Sequence, residues 1–195
     1  MKNFAVSLLA ACSAVVRAGV SHGEVRPRVI PVARLFADAQ THPPGDIPDK
    51  PVLVTYQSPL KFSLKVPKGW ARRETLQSVE FADKYNRISV AVTSRTRALT
   101  LEDVKCQEVR ELQRSGDDVH VSHVKVMRLP SGIAFVVTYA SGSAGNPVIN
   151  KAIHFENARY LFSKNGKLAT LTLSAPTGTD DAGQWQLMAE SFGWH

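Results

Sequence analysis

In the stretch "LKFSLKV", Leu60, Phe62, Leu64 and Val66 alternate with Lys61, Ser63 and Lys65. A period of two is that of a strand with one buried face and one wet face. Similar patterning recurs through most of the chain after Val52. "SVEFAD" and "RISVAVTS" predict two more strands, joined through "KYN" as an antiparallel pair. "VHVSHVKVMRL" and "IAFVVTYAS" flank Pro130-Ser131-Gly132 and predict a second hairpin. The apolar set changes parity between Val121 and Val124, which calls for a bulge or register change there. "VINKAIHF" and "RYLFS" lead to Asn165-Gly166, where both positions tolerate positive φ, and "KLATLTLSAP" returns as the partner strand. "PKGW" reads as a turn at Pro67 and Gly69 that presents Trp70.

Two segments change period. Thr100 to Ser115 predicts a helix: Thr100 is the cap with Asp103 three residues on, Leu101, Val104 and Leu112 lie on one stripe, and Gly116 ends it. Asp180 to Phe192 predicts a second, with Trp185, Met188, Ala189 and Phe192 at i, i+3, i+4 and i+7. That stripe is read as core packing, a ligand pocket being the alternative. Runs of strands with segregated helices predict an α+β domain, a central antiparallel β-sheet flanked by helices, over residues 51–195.

The chain before that domain has another character. Lys2, an apolar segment from Phe4 to Ala11, and Leu9-Ala10-Ala11-Cys12 reproduce a lipoprotein signal peptide over residues 1–11, with Cys12 as the lipidation site. The run is well short of the roughly 20 residues a membrane-spanning helix needs. The alternative is an ordinary buried helix with Cys12 a buried thiol, and a start codon further upstream is also open. Six of the eleven prolines fall between Pro27 and Pro51, so residues 12–50 read as a proline-rich tether with a short helix at 31–40. With only Cys12 and Cys106 present, lipidation leaves no intramolecular disulfide, and a retained leader would leave a Cys12–Cys106 bridge as the competing state.

Composition narrows the class without naming a reaction. Hydrophobic content of 44% against 21% charged residues is that of a globular chain rather than a membrane bundle or a disordered polyelectrolyte. The net charge of +7 favours anionic surfaces. Lys61, Lys65, Lys68, Arg72 and Arg73 surround Trp70 and form a candidate face for phosphate or carboxylate groups, the alternative being a solvated basic face. His120 and His123 in "HVSH" would share a metal only through the bulge, since residues three apart on a strand face opposite ways; no metal site and no cofactor are expected. His154 reads as a hydrogen-bonded sheet residue, "SGSAGNP" as a loop lacking the first glycine of a nucleophile elbow, and Asp180-Asp181 as a helix start. Cys-x-x-Cys, His-Glu-x-x-His and dinucleotide fingerprints are absent from the sequence. Nucleic-acid binding lacks a basic helix or an aromatic-basic sheet motif.

The order "FSLKVPKGW", a strand pair, a helix opened by "TLEDV", a strand ending "VTY" and then "YLFSKNGKLATLTLSAP" before Trp185 and Ser191-Phe192 resembles the PsbP-like superfamily. Within it the pattern is similar to the actinobacterial secreted lipoproteins of the LpqN and LpqT type. The resemblance covers about Tyr56 to Trp194 and implies an α/β/α sandwich and an accessory or binding role. The resulting expectation is an extracytoplasmic envelope lipoprotein that is not an enzyme. Its lipid would anchor it to the cell membrane, and its partner would be an envelope protein or an anionic polymer. A small secreted hydrolase or transferase is the alternative.

Overall fold

The computed structural model describes Ile47, residues 51–143 and residues 153–195. Cys12, the leader and the proposed helix at 31–40 lie outside the described residues. Among the described residues ten strands form two antiparallel sheets. β1 (Leu53–Ser58), β2 (Phe62–Pro67) and β10 (Gly193–Trp194) make a small one in the order β1-β2-β10. The large one contains β3 (Ala71–Glu74), β4 (Ser78–Asp83), β5 (Asn86–Ser94), β6 (His120–Leu129), β7 (Gly132–Gly142), β8 (His154–Lys164) and β9 (Lys167–Pro176), in the order β3-β4-β5-β9-β8-β7-β6. α1 (Leu101–Asp103) continues through a π turn (Val104–Glu108) into α2 (Val109–Ser115), and α3 (Ala182–Glu190) follows β9.

The large sheet has an apolar layer on each side. On one face Phe81, Val90, Leu171, Tyr160 and Phe162 pack with Phe62, Leu64 and Val66 of the small sheet and Met188 and Phe192 from the α3 region. On the other face Leu161, Leu168 and Val137 pack with Leu99, Val104 and Leu112 of the α1–α2 segment. The fold is therefore the α+β class expected, a central antiparallel sheet flanked by helices, with a second small sheet added.

The local grounds are visible at several points. Thr100 and Asp103 form a reciprocal capping box, the Asp103 N–H donating to Thr100 Oγ1 (3.1 Å) and the Thr100 N–H to Asp103 Oδ2 (3.1 Å). Asp103 also pairs with Arg95 (3.2 Å) and Arg97 (2.7 Å), which ties the end of β5 to the helix start. Asn165 (φ 48°) and Gly166 (φ 73°) turn β8 into β9. The β6–β7 register shifts between Val121 and His123, the bulge expected from the parity change.

Several expectations are corrected. The stretch leading to Asn165-Gly166 is one strand, β8, which runs unbroken from His154 to Lys164 through the Glu156-Asn157-Ala158 that the pattern left unassigned, while Val148 to Ala152 lie outside the described residues. The last helix begins at Ala182 rather than Asp180 and closes at Glu190. Asp181 Oδ1 accepts the Ile47 N–H (2.8 Å) instead of capping α3. His154 is, as expected, a hydrogen-bonded sheet residue, its carbonyl accepting the Thr177 N–H (2.9 Å), and it is exposed at the first position of β8. β1, β3 and β10 were not foreseen: β3 reads "ARRE", wholly exposed, and only its pairing with β4 makes it a strand. Ile47, within the expected tether, is buried at 5% exposure in the core.

Candidate functional site

The helix stripe divides by depth. Met188 is fully buried and Phe192 stacks on Phe162 (ring centroids 4.2 Å) and Phe62 (5.6 Å), so these two are core. Trp185, one turn earlier, is half-buried and walls a cleft of about 600 Å³ between α3 and strands β6 to β8. The floor is Met127, Val136, Ala158 and Tyr160, all from inward positions of neighbouring strands. His120, Lys125, Glu156 and Gln186 stand at the rim. An apolar bed with a few polar groups at its edge is the usual composition of a small-ligand site. Burial pushes the Tyr160 phenol above its ordinary pKa, with the Glu190 carboxylate adding to the effect, so the floor stays uncharged at neutral pH.

The bulge shapes this cleft. It sets His120 opposite Ala140 and His123 opposite Thr138, two positions of one parity on β7, so both histidines belong to the cleft face. His120 bonds Asp118 (2.9 Å) and both are exposed. Among the described residues no cluster of three or more His, Cys, Asp or Glu side chains is placed to hold a metal. Cys106 is exposed, and its thiol donates to Glu102 (3.0 Å), which raises the thiol pKa and keeps it protonated.

The six residues of the expected basic face are dispersed. Lys65 projects outward from β2 opposite Thr55. Lys61, in the turn before β2 at φ 70°, lies at the other end beside Lys164, Lys167 and His195 around a hollow of about 190 Å³. Lys68 and Trp70 sit at the opposite end of β2, beside Ile47 and Val52. Arg72 pairs with Glu74 (3.1 Å) and lies 5.4 Å from the Tyr56 ring, while Arg73 is its neighbour on a strand and so faces the other side of the sheet. Strand alternation separates Arg72 from Arg73, and the length of β2 separates Lys61 from Lys68. Lys164 and Lys167 were missed as partners of Lys61 because they flank a turn a hundred residues away. Their closeness comes from the tertiary path, and no local signal carries it.

Among the described residues no helix is long and apolar enough to cross a membrane. No family model matches the chain, and no curated protein sequence matches it either. Solved structures do. Cyanobacterial PsbP (CyanoP) from Synechocystis superposes with a TM-score of 0.54 at 15% identity, covering 78% of this chain and 99% of that one. The Ran-binding protein Mog1p of Saccharomyces cerevisiae gives 0.52 at 11% identity, covering 74% and 96%. LpqN of Mycobacterium tuberculosis, a protein involved in cell envelope biogenesis, gives 0.41 at 14% identity over 73% and 88%, a score too low to carry the expected closeness to that branch. At such identities the first two likenesses establish architecture alone, and the chain has the PsbP-like fold.

Proposed function

We propose that the protein is a membrane-anchored envelope lipoprotein that works as a non-catalytic binding module, holding an apolar small molecule or lipid tail in the cleft beside α3. The observation that carries the binding half is the position of Trp185. Helical spacing groups it with Met188 and Phe192, yet it stands half-buried on a cleft of about 600 Å³ instead of in the core. An aromatic wall over an apolar floor with polar groups at the mouth supplies affinity by area and orientation by the rim. The location half rests on Leu9-Ala10-Ala11-Cys12.

Each half has its own test. Cys12→Ser should release the protein from membranes; an unmodified chain beginning at Met1 in the cytosol would refute the anchor. Titration with anilinonaphthalene sulfonate should show saturable energy transfer from tryptophan. Ala140→Trp, which fills the exposed mouth, should abolish saturable enhancement of the probe's own fluorescence without lowering the melting temperature. Undiminished binding by a folded Ala140→Trp protein refutes the cleft.

A further inference from the structure

Among the described residues, the face of the large sheet opposite the small one is covered by the α1–α2 segment over only part of its width. Beyond that cover lies a polar trough of about 610 Å³. Its bed is a row crossing four strands, Glu80, Ser89, Thr172 and Arg159, each directly paired with the next. The next row, two residues along, contains Arg87, Ser174 and Asn157. Hydroxyls and guanidinium groups here occupy positions that elsewhere on the same face carry Leu161 and Leu168. A polar strip of this kind costs folding energy unless its donors are used.

Arg159 is the centre of the trough. It makes no ion pair among the described residues, whose six pairs all involve other side chains. Its Nε is buried without a hydrogen-bond partner. The Tyr139 hydroxyl lies against it, and the contact opposes the rise that burial gives the Tyr139 pKa. Asn157, 4% exposed, spends its amide on Tyr139 O, Ser141 Oγ and Phe155 O, and so braces the wall instead of neutralising the charge. The single acid in the bed, Glu80, lies 3.6 Å from Arg87. Arg159 and Lys84 therefore leave the trough positive.

We propose that this trough binds a small oxyanion, a phosphate or carboxylate group carried on a soluble molecule, with Arg159 as its fork and the hydroxyls of Ser89, Thr172 and Ser174 as additional donors. A guanidinium matches both anions with two parallel N–H bonds, and a partly desolvated one binds more strongly than one in open water. The site lies on the opposite face from the cleft beside α3, so neither depends on the other.

Calorimetric titration of the full chain with inorganic phosphate and with citrate, each against sodium chloride at equal ionic strength, tests it. Saturable binding of at least one oxyanion is expected. Arg159→Lys, which keeps the charge and loses the fork, should weaken it by about tenfold or more, the worth of one charge-assisted hydrogen bond. Thr172→Val preserves shape and should weaken it several-fold, and it decides the matter if Arg159→Lys does not fold. Phosphate binding alone assigns a phosphate ligand and citrate binding alone a carboxylate. Heats no different from chloride, or affinity unchanged in both folded variants, overturn the proposal.

Discussion

Phe192 shows how little of a residue's weight is local. It lies just past α3, is 2% exposed, and its ring meets Phe62, Phe162 and Trp194, residues from both sheets. Truncating it to Ala should cost about 3–5 kcal/mol in urea unfolding, the usual range for a fully buried aromatic. Trp185→Ala, at a half-buried position, should cost clearly less in the same assay; equal losses would place both rings in the core. Asp103 is the corresponding polar case. Hydrogen bonds from Thr100, then Arg97 and Arg95, hold its carboxyl below the ordinary carboxylate value. A folded pKa below the unfolded one means the contribution is present at neutral pH and is lost as pH falls below about 4 toward the lowered value. The melting temperature should therefore drop on acidification, and the drop should be smaller in Asp103→Asn, which starts from a lower value at pH 7.

At the scale of elements, the two hairpin features that the pattern marks are the ones that set the register. Asn165 and Gly166 both sit at positive φ, so the β8–β9 ladder is fixed from its turn outward. Gly166→Val forces a branched side chain into the left-handed region and should cost about 1–2 kcal/mol. Chemical denaturation checks the size, and amide exchange should show the loss spreading along β8 and β9. The bulge on β6 does two things at once. It turns His120 and His123 onto one face and it disrupts an edge strand that would otherwise offer an unpaired ladder. β3, the opposite edge, is protected differently: all four of its residues are exposed, and Arg72, Arg73 and Glu74 put charge along it.

For the whole molecule, charge is arranged by the fold rather than by the chain. Lys61, Lys164 and Lys167 gather at one end beside His195, while Lys68 lies at the other. If the Lys61 end rests on an anionic surface, Lys61→Glu with Lys164→Glu in the Cys12→Ser chain should weaken its binding to anionic vesicles, and added salt should reduce the difference because exposed charges are screened over roughly 8–10 Å. Equal, salt-insensitive binding by both proteins would leave these lysines as solvated surface. The alternation from Leu60 to Val66, the capping box at Thr100, the Asn165-Gly166 turn and the stripe from Met188 to Phe192 were legible because each depends on residues within one or two turns or strand repeats. These local rules determined most of the strands, both helical segments and the α+β class. β3 and β10 have no such pattern of their own and exist through pairing, and Ile47 is buried because Asp181 is there to accept its N–H. Both candidate sites belong to this second group: Trp185 became a cleft wall, and Arg159 the centre of a trough, through where other strands lie. Apolar periodicity records which face of an element is buried, but it does not record how completely a neighbour covers that face, and that coverage was decided only by the tertiary structure.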